Sequence, residues 1–166
     1  QEPLTAAAHE GIREHCSLYV LCVHDWSHLS YKHLNKPDTY AITHDTDVGY
    51  DLQTSLILSD QTGQPLAPIA QRLVSSDGSY ATYQEINPTP VIKHHLDEVT
   101  GCIQYLETQG FLKPLIHIID REGDSVGHIR TWDAAGCWWL VRIKDNPKVE
   151  YIGKAQSCKT VAQELT

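Results

Sequence analysis

A chain of 166 residues, 41% hydrophobic and 20% charged, is long enough to bury one real core and too apolar for a disordered segment. No apolar run reaches the length of a membrane span, and no basic stretch leading into an apolar one marks a signal peptide. The net charge of −8 counts against a surface that grips nucleic acid unaided, because phosphate contacts need Lys and Arg.

The chain opens on Gln rather than Met, and the expectation is one domain spanning residues 1–166 and cut at both ends. Cys16, Cys22, Cys102, Cys137 and Cys158 are odd in number and spread widely, with no Cys-x-x-Cys pair. That pattern suits a reduced, cytoplasmic compartment, with Cys22 and Cys137 acting as small hydrophobes inside apolar runs.

Residues 1–16 read as a helix with Ala6, Ala7, Ala8 and Ile12 as its buried contacts. Residues 17–25 form a continuous apolar strand. Residues 26–51 are polar, with a turn at Lys36-Pro37-Asp38. Leu52 to Asp60 is a second strand, Gln61-Thr62-Gly63-Gln64 has hairpin chemistry, and Leu66 to Val74 returns as a third. Pro68 cannot donate to a ladder, so it places that strand at an edge or puts a bulge in it. Residues 75–92 form a loop closed by Asn87-Pro88-Thr89-Pro90.

From His94 to Gln109 the period becomes helical, with Leu96, Val99, Ile103 and Leu106 on one face and Gly110 as the stop. Leu115 to Asp120 is a fourth strand. Ser125 caps a helix carrying Val126, Ile129 and Trp132 that ends near Gly136. Cys137 to Ile143 is a fifth strand, and the tail from about Ala155 to Leu165 is weakly helical. The order predicts an α/β fold: a mixed five-stranded sheet flanked by helices. Three strands form an antiparallel meander. The last two enter through helical crossovers and run parallel to the first.

Two strands end on a carboxylate, at Asp25 and Asp120. One aspartate alone is an ordinary turn former. Two at matching ends of neighbouring parallel strands form a divalent-metal site with oxygen ligands, of the kind that serves phosphoryl transfer. Asp120-Arg121-Glu122-Gly123-Asp124 is dense in charge. Glu122 and Asp124 either shape that site or sit in a first helical turn, and Arg121 either meets phosphate or neutralises them. Arg142 and Lys144 follow Trp138-Trp139-Leu140-Val141 and point the same way, toward solvent or toward a DNA backbone. The tryptophans read as core rather than as stacking platforms. His24, His28, His33 and His44 show no clean zinc-ligand spacing. Ser27 lacks any nucleophile elbow.

At these residues the chain resembles the bacterial insertion-sequence DDE transposases with a ribonuclease H-like core, the group that cuts DNA through a hairpin intermediate. Val23-His24-Asp25-Trp26-Ser27-His28-Leu29-Ser30-Tyr31 is similar to their first-aspartate motif, with Trp26 where Thr is usual. Ile119-Asp120-Arg121-Glu122-Gly123-Asp124 resembles the second, Leu140-Val141-Arg142-Ile143-Lys144 the strand that follows, and Gly49 to Arg72 the intervening hairpin. The resemblance covers most of residues 12–150. It implies metal-dependent strand cleavage and strand transfer on double-stranded DNA, at transposon ends and target, by a bacterial cytoplasmic enzyme that is a homodimer at full length. Asp25 and Asp120 would be catalytic and hold Mg²⁺ (or Mn²⁺), while Arg121, Arg142 and Lys144 would meet DNA.

The family's third carboxylate, a glutamate in a Tyr-x-x-Arg-x-x-x-Glu arrangement, has no counterpart here; Glu150 and Glu164 come too early. The fragment alone is therefore expected to be inactive. A ribonuclease H-like nuclease or resolvase, or a decayed transposase acting as an interaction domain, are the competing readings.

Overall fold

A computed structural model describes residues 2–31, 36–84, 88–91, 94–144 and 147–165; Asn87 of the closing loop and His33 lie outside them. The chain opens with helix α1 (Glu2–His15). Its buried face runs through Ala8 and Ile12, one turn apart, whereas Ala6 and Ala7 are exposed. A run of three alanines carries no period, so the sequence could not say which one faces inward. The turn out of α1 is pinned by Asp60, whose carboxylate accepts the backbone N–H groups of Ser17, Leu18 and Tyr19 at 2.8, 2.8 and 3.0 Å. Those bonds hold the Asp60 carboxyl below its usual range.

Strand β1 (Val20–Ser30) runs past the expected end at residue 25. It is followed by β2 (Tyr40–Ala41), β3 (Val48–Ser59), β4 (Pro65–Ser75) and β5 (Gly78–Ala81). The β3–β4 register slips between Ser55 and Leu56, with Pro68 opposite Leu56, which is the bulge the proline predicted. Next come α2 (His95–Glu107), β6 (Leu115–Ile119), a 3₁₀ turn (Arg121–Gly123), α3 (Val126–Ala134) and β7 (Trp138–Val141). Gly110 and Gly136 close α2 and α3 with φ of 66° and 74°. Ser125 occupies the N-cap of α3, but its hydroxyl meets His128 Nδ1 at 2.8 Å instead of the backbone.

The tail is helical over most of the expected span and differs only at its start. It forms a hairpin, β8 (Lys148–Tyr151) and β9 (Lys154–Ser157), before helix α4 (Cys158–Leu165). Ile152 and Gly153 make the turn with φ of 51° and 70°, the handedness a two-residue hairpin needs.

The main sheet has seven strands in the order β5-β4-β3-β1-β6-β7, with β2 paired to β3. Its five longest-recognised members match the expected five, and short β2 and β5 extend it. β3, β4 and β5 are antiparallel to their neighbours, while β1, β6 and β7 run parallel. The fold is α/β with a mixed sheet. No helix among the described residues is long and apolar enough to cross a membrane.

The buried clusters lie on one face of this sheet, under α1, α2 and α3. One joins Ala8, Ile12, Val20, Ile57, Ile69 and Leu106; the other joins Val99, Ile103, Ile119 and Trp132. On the opposite face Leu21, Val23, Ile116 and Ile118 are only half-buried. Trp138, read from the sequence as core, is 52% exposed there and leans on Tyr19.

Candidate active site

Parallel pairing of β1 with β6 sets His24 opposite Ile119. Asp25 and Asp120 are the next residues on each chain, so they stand at the same edge of the sheet. Asp25 remains in β1, paired across to Thr54 of β3. Asp120 leaves the sheet and caps the 3₁₀ turn, its Oδ1 accepting the Glu122 N–H at 2.8 Å. Both side chains are exposed. They line one cleft of about 530 Å³ together with Val23, Ile118, Leu140 and Arg142.

The charged loop after β6 is fixed by its own acids. Asp124 Oδ2 accepts the Lys144 N–H at 3.1 Å, and the Arg142 N–H reaches Ile119 O at 3.1 Å. Gly123 is buried where a Cβ would stand 2.8 Å from Ile119 Cγ2 and 3.0 Å from Val141 Cγ1. Asp124 thus ties the loop to the chain that follows β7. Arg121, Arg142 and Lys144 are all exposed around this edge, and Arg142 lines the cleft itself.

Behind the loop lies a network the sequence did not reveal. Asp51 of β3 is 5% exposed and is flanked by two histidines. His95 Nε2–H donates to its Oδ2 at 3.0 Å, and His95 Nδ1–H donates to Glu122 Oε2 at 3.1 Å. His28 Nδ1 comes within 3.1 Å of Oδ1, close but too poorly aligned to count as a hydrogen bond. The His95 ring stacks on Trp26, with centroids 4.8 Å apart. The Asp51 bond, helped by Glu122 and opposed by burial, raises the His95 pKa to about 9, so the ring is cationic near neutrality. One charged imidazole thus ties β3, the start of α2 and the turn that carries Asp120.

Of the histidines weighed for zinc, the three among the described residues do not converge. His28 serves Asp51, His44 bonds Thr46 on the surface at 3.0 Å, and His24 is buried. Among the described residues one group of ligand-type side chains comes together: Cys22, His24 and His117, all buried on the helix-covered face. No third ligand-type side chain among the described residues converges on Asp25 and Asp120. His24 Nε2 lies 2.9 Å from His117 Nδ1; the outer nitrogens meet Ser55 Oγ at 2.8 Å and Glu107 Oε1 at 3.0 Å. Burial, and then His117, hold the His24 pKa well below its usual value, so that ring is neutral.

No protein-family model matches this chain, and no curated protein matches it.

Proposed function

We propose that this chain is the ribonuclease H-like catalytic core of a DDE transposase, acting on double-stranded DNA by metal-dependent cleavage and strand transfer. The observation that carries the reading is that Asp25 and Asp120 each follow the last paired residues of adjacent parallel strands, His24 and Ile119, in a sheet ordered β4-β3-β1-β6-β7. Ligands of α/β sheets bind at such carboxyl ends. Two exposed carboxylates lining one cleft are hard oxygen donors, the donor set that suits Mg²⁺ or Mn²⁺. When bound, the ions supply activation of a water or a 3′-hydroxyl and stabilisation of the leaving oxygen.

The chain's own residues do the rest. Asp120 is held through its cap bond, Glu122 and charged His95, so its carboxylate is oriented before a ligand arrives. Arg142 enters the cleft beside the two aspartates and would meet the DNA backbone there, with Arg121 and Lys144 flanking it. In the proposed enzyme a third carboxylate completes the pair, and two copies of the full-length protein act together.

The test is Mn²⁺ titration of the isotopically labelled chain followed by NMR. Amide signals around Asp25 and Asp120 should broaden first, and Asp25→Asn or Asp120→Asn should remove the effect. Broadening centred elsewhere, or unchanged in both variants, would overturn the proposal.

A further inference from the structure

Cys22 and His24 sit two residues apart on β1, so both side chains point to the helix-covered face. His117 lies directly opposite Cys22 on β6. All three are at most 1% exposed, and their ligand atoms lie within 4.8 Å of one another. We propose that Cys22, His24 and His117 form a buried site for a thiophilic closed-shell metal ion, Zn²⁺ or Cu⁺, which cross-links β1 to β6 beneath α2. The site is independent of the paired aspartates, because Asp25 alternates to the other face of the strand.

Hydrogen-bond accounting supports this. A carboxylate only accepts, so Glu107 Oε1 fixes the His117 proton on Nε2 and leaves Nδ1 a bare lone pair. That lone pair faces His24 Nε2. One proton or one metal ion must lie between the two nitrogens. The outer nitrogens already have the partners that metal-bound histidines use, a carboxylate on one ring and a hydroxyl on the other. A thiol placed against this pair has no use in a proton bridge, whereas a thiolate is the preferred ligand of Zn²⁺ and Cu⁺. Beside Ser55 sits Gln53, 1% exposed, which donates Nε2–H to Ser55 Oγ at 2.9 Å. Its Oε1 has no partner among the described residues and is a spare oxygen donor in this part of the core.

The charges and protons balance. Binding releases one proton, from the Cys22 thiol, and moves the His24 proton from Nε2 to Nδ1, where Ser55 Oγ accepts it. The Ser55 hydroxyl proton then turns to Cys102 Sγ, 3.1 Å away. Thiolate and Glu107 carboxylate together neutralise a divalent ion. Ring nitrogens about 2.0–2.1 Å from a tetrahedral ion stand about 3.3 Å apart, so the histidines open by a few tenths of an ångström.

The test is metal analysis of the purified chain after dialysis against a chelating resin, with elemental analysis separating zinc from copper. One equivalent of either ion per chain is expected. Refolding the chain with Co²⁺ should give a thiolate-to-cobalt charge-transfer band, absent in Cys22→Ser. Glu107→Gln keeps the fold, because its side chain is 40% exposed, and should weaken metal binding by about 10–100-fold. Asp25→Asn should leave the metal content unchanged. A wild-type chain with no bound zinc or copper and no cobalt band overturns the site and leaves a proton bridge. Loss of the metal in Asp25→Asn rather than Cys22→Ser assigns it to the aspartates and equally overturns the site.

Discussion

Asp51 and His95 meet 3.0 Å apart at the rim of the sheet, joining a strand to a helix start 44 residues away. The same ring reaches Glu122, two residues beyond Asp120. The position of the candidate metal ligand therefore depends on the protonation of a histidine that touches neither aspartate of the cleft.

This dependence gives a pH signature. The His95 pKa rises from 6.5 to about 9 on folding, so its stabilisation is complete below the unfolded value and is lost as pH climbs through about 9. The side chain is 38% exposed, and solvent screening cuts the contribution to about 1–2 kcal/mol. Urea unfolding should show stability falling between pH 7 and 9.5 in the wild type and a flatter profile in His95→Gln. An NMR titration midpoint for His95 near 6.5 would refute the charged bridge.

Asp25→Asn and Asp120→Asn should each leave the unfolding free energy within about 0.5 kcal/mol of wild type, since both side chains are exposed. Asn also caps a helical turn as well as Asp does, so the bond to the Glu122 N–H survives in Asp120→Asn. What is lost is charge. Calorimetric Mn²⁺ binding should vanish, and in the complete enzyme cleavage should be abolished while binding to transposon ends persists. Full cleavage by Asp120→Asn would show that its carboxylate has no role.

The placement of Asp25 and Asp120 at one edge was legible because an apolar run leads into each aspartate and parallel pairing sets those runs side by side, although β1 continues past Asp25 to Ser30. The same register also sets Cys22 opposite His117, so the buried cluster was within reach of that argument. It was missed because the histidines were weighed by spacing along one segment, not across strands. His95 and Asp51 carry no local signal at all; only tertiary packing brings them together. The terminal hairpin was hidden because Tyr151-Ile152-Gly153-Lys154 lacks the Asn or Asp that usually announces such a turn. Trp138 read as core by hydrophobicity, yet it sits on the sheet's outer strand, on the face away from the helices.

Gly123→Ala tests how tightly the loop is packed. The new methyl would stand 2.8 Å from Ile119 Cγ2 and 3.0 Å from Val141 Cγ1, side chains that are themselves locked in β6 and β7. Overpacking of this kind costs about 1–3 kcal/mol. The strain falls on the turn between Asp120 and Asp124, so Mn²⁺ affinity should drop along with the unfolding midpoint. A variant with wild-type stability would mean the loop is free to shift, and the preorganisation argued for Asp120 would fail with it.

Arg142→Ala separates a phosphate contact from a structural one. The Arg142 backbone N–H is tied to Ile119 O, and that bond is kept in the variant, so the strand end should stay in place. The side chain is exposed and lines the cleft beside Asp25 and Asp120. If it meets a DNA phosphate, its removal takes one counterion-releasing contact away. The slope of log affinity against log salt should then fall by about one, with affinity weakened to a similar degree on all sequences. Fluorescence anisotropy across a salt series, on the DNA-binding form of the protein, measures both quantities. The net charge of −8 makes each such contact count, because few cations offset the acidic surface. An unchanged slope with unchanged affinity would remove Arg142 from the interface and move the DNA path away from β7.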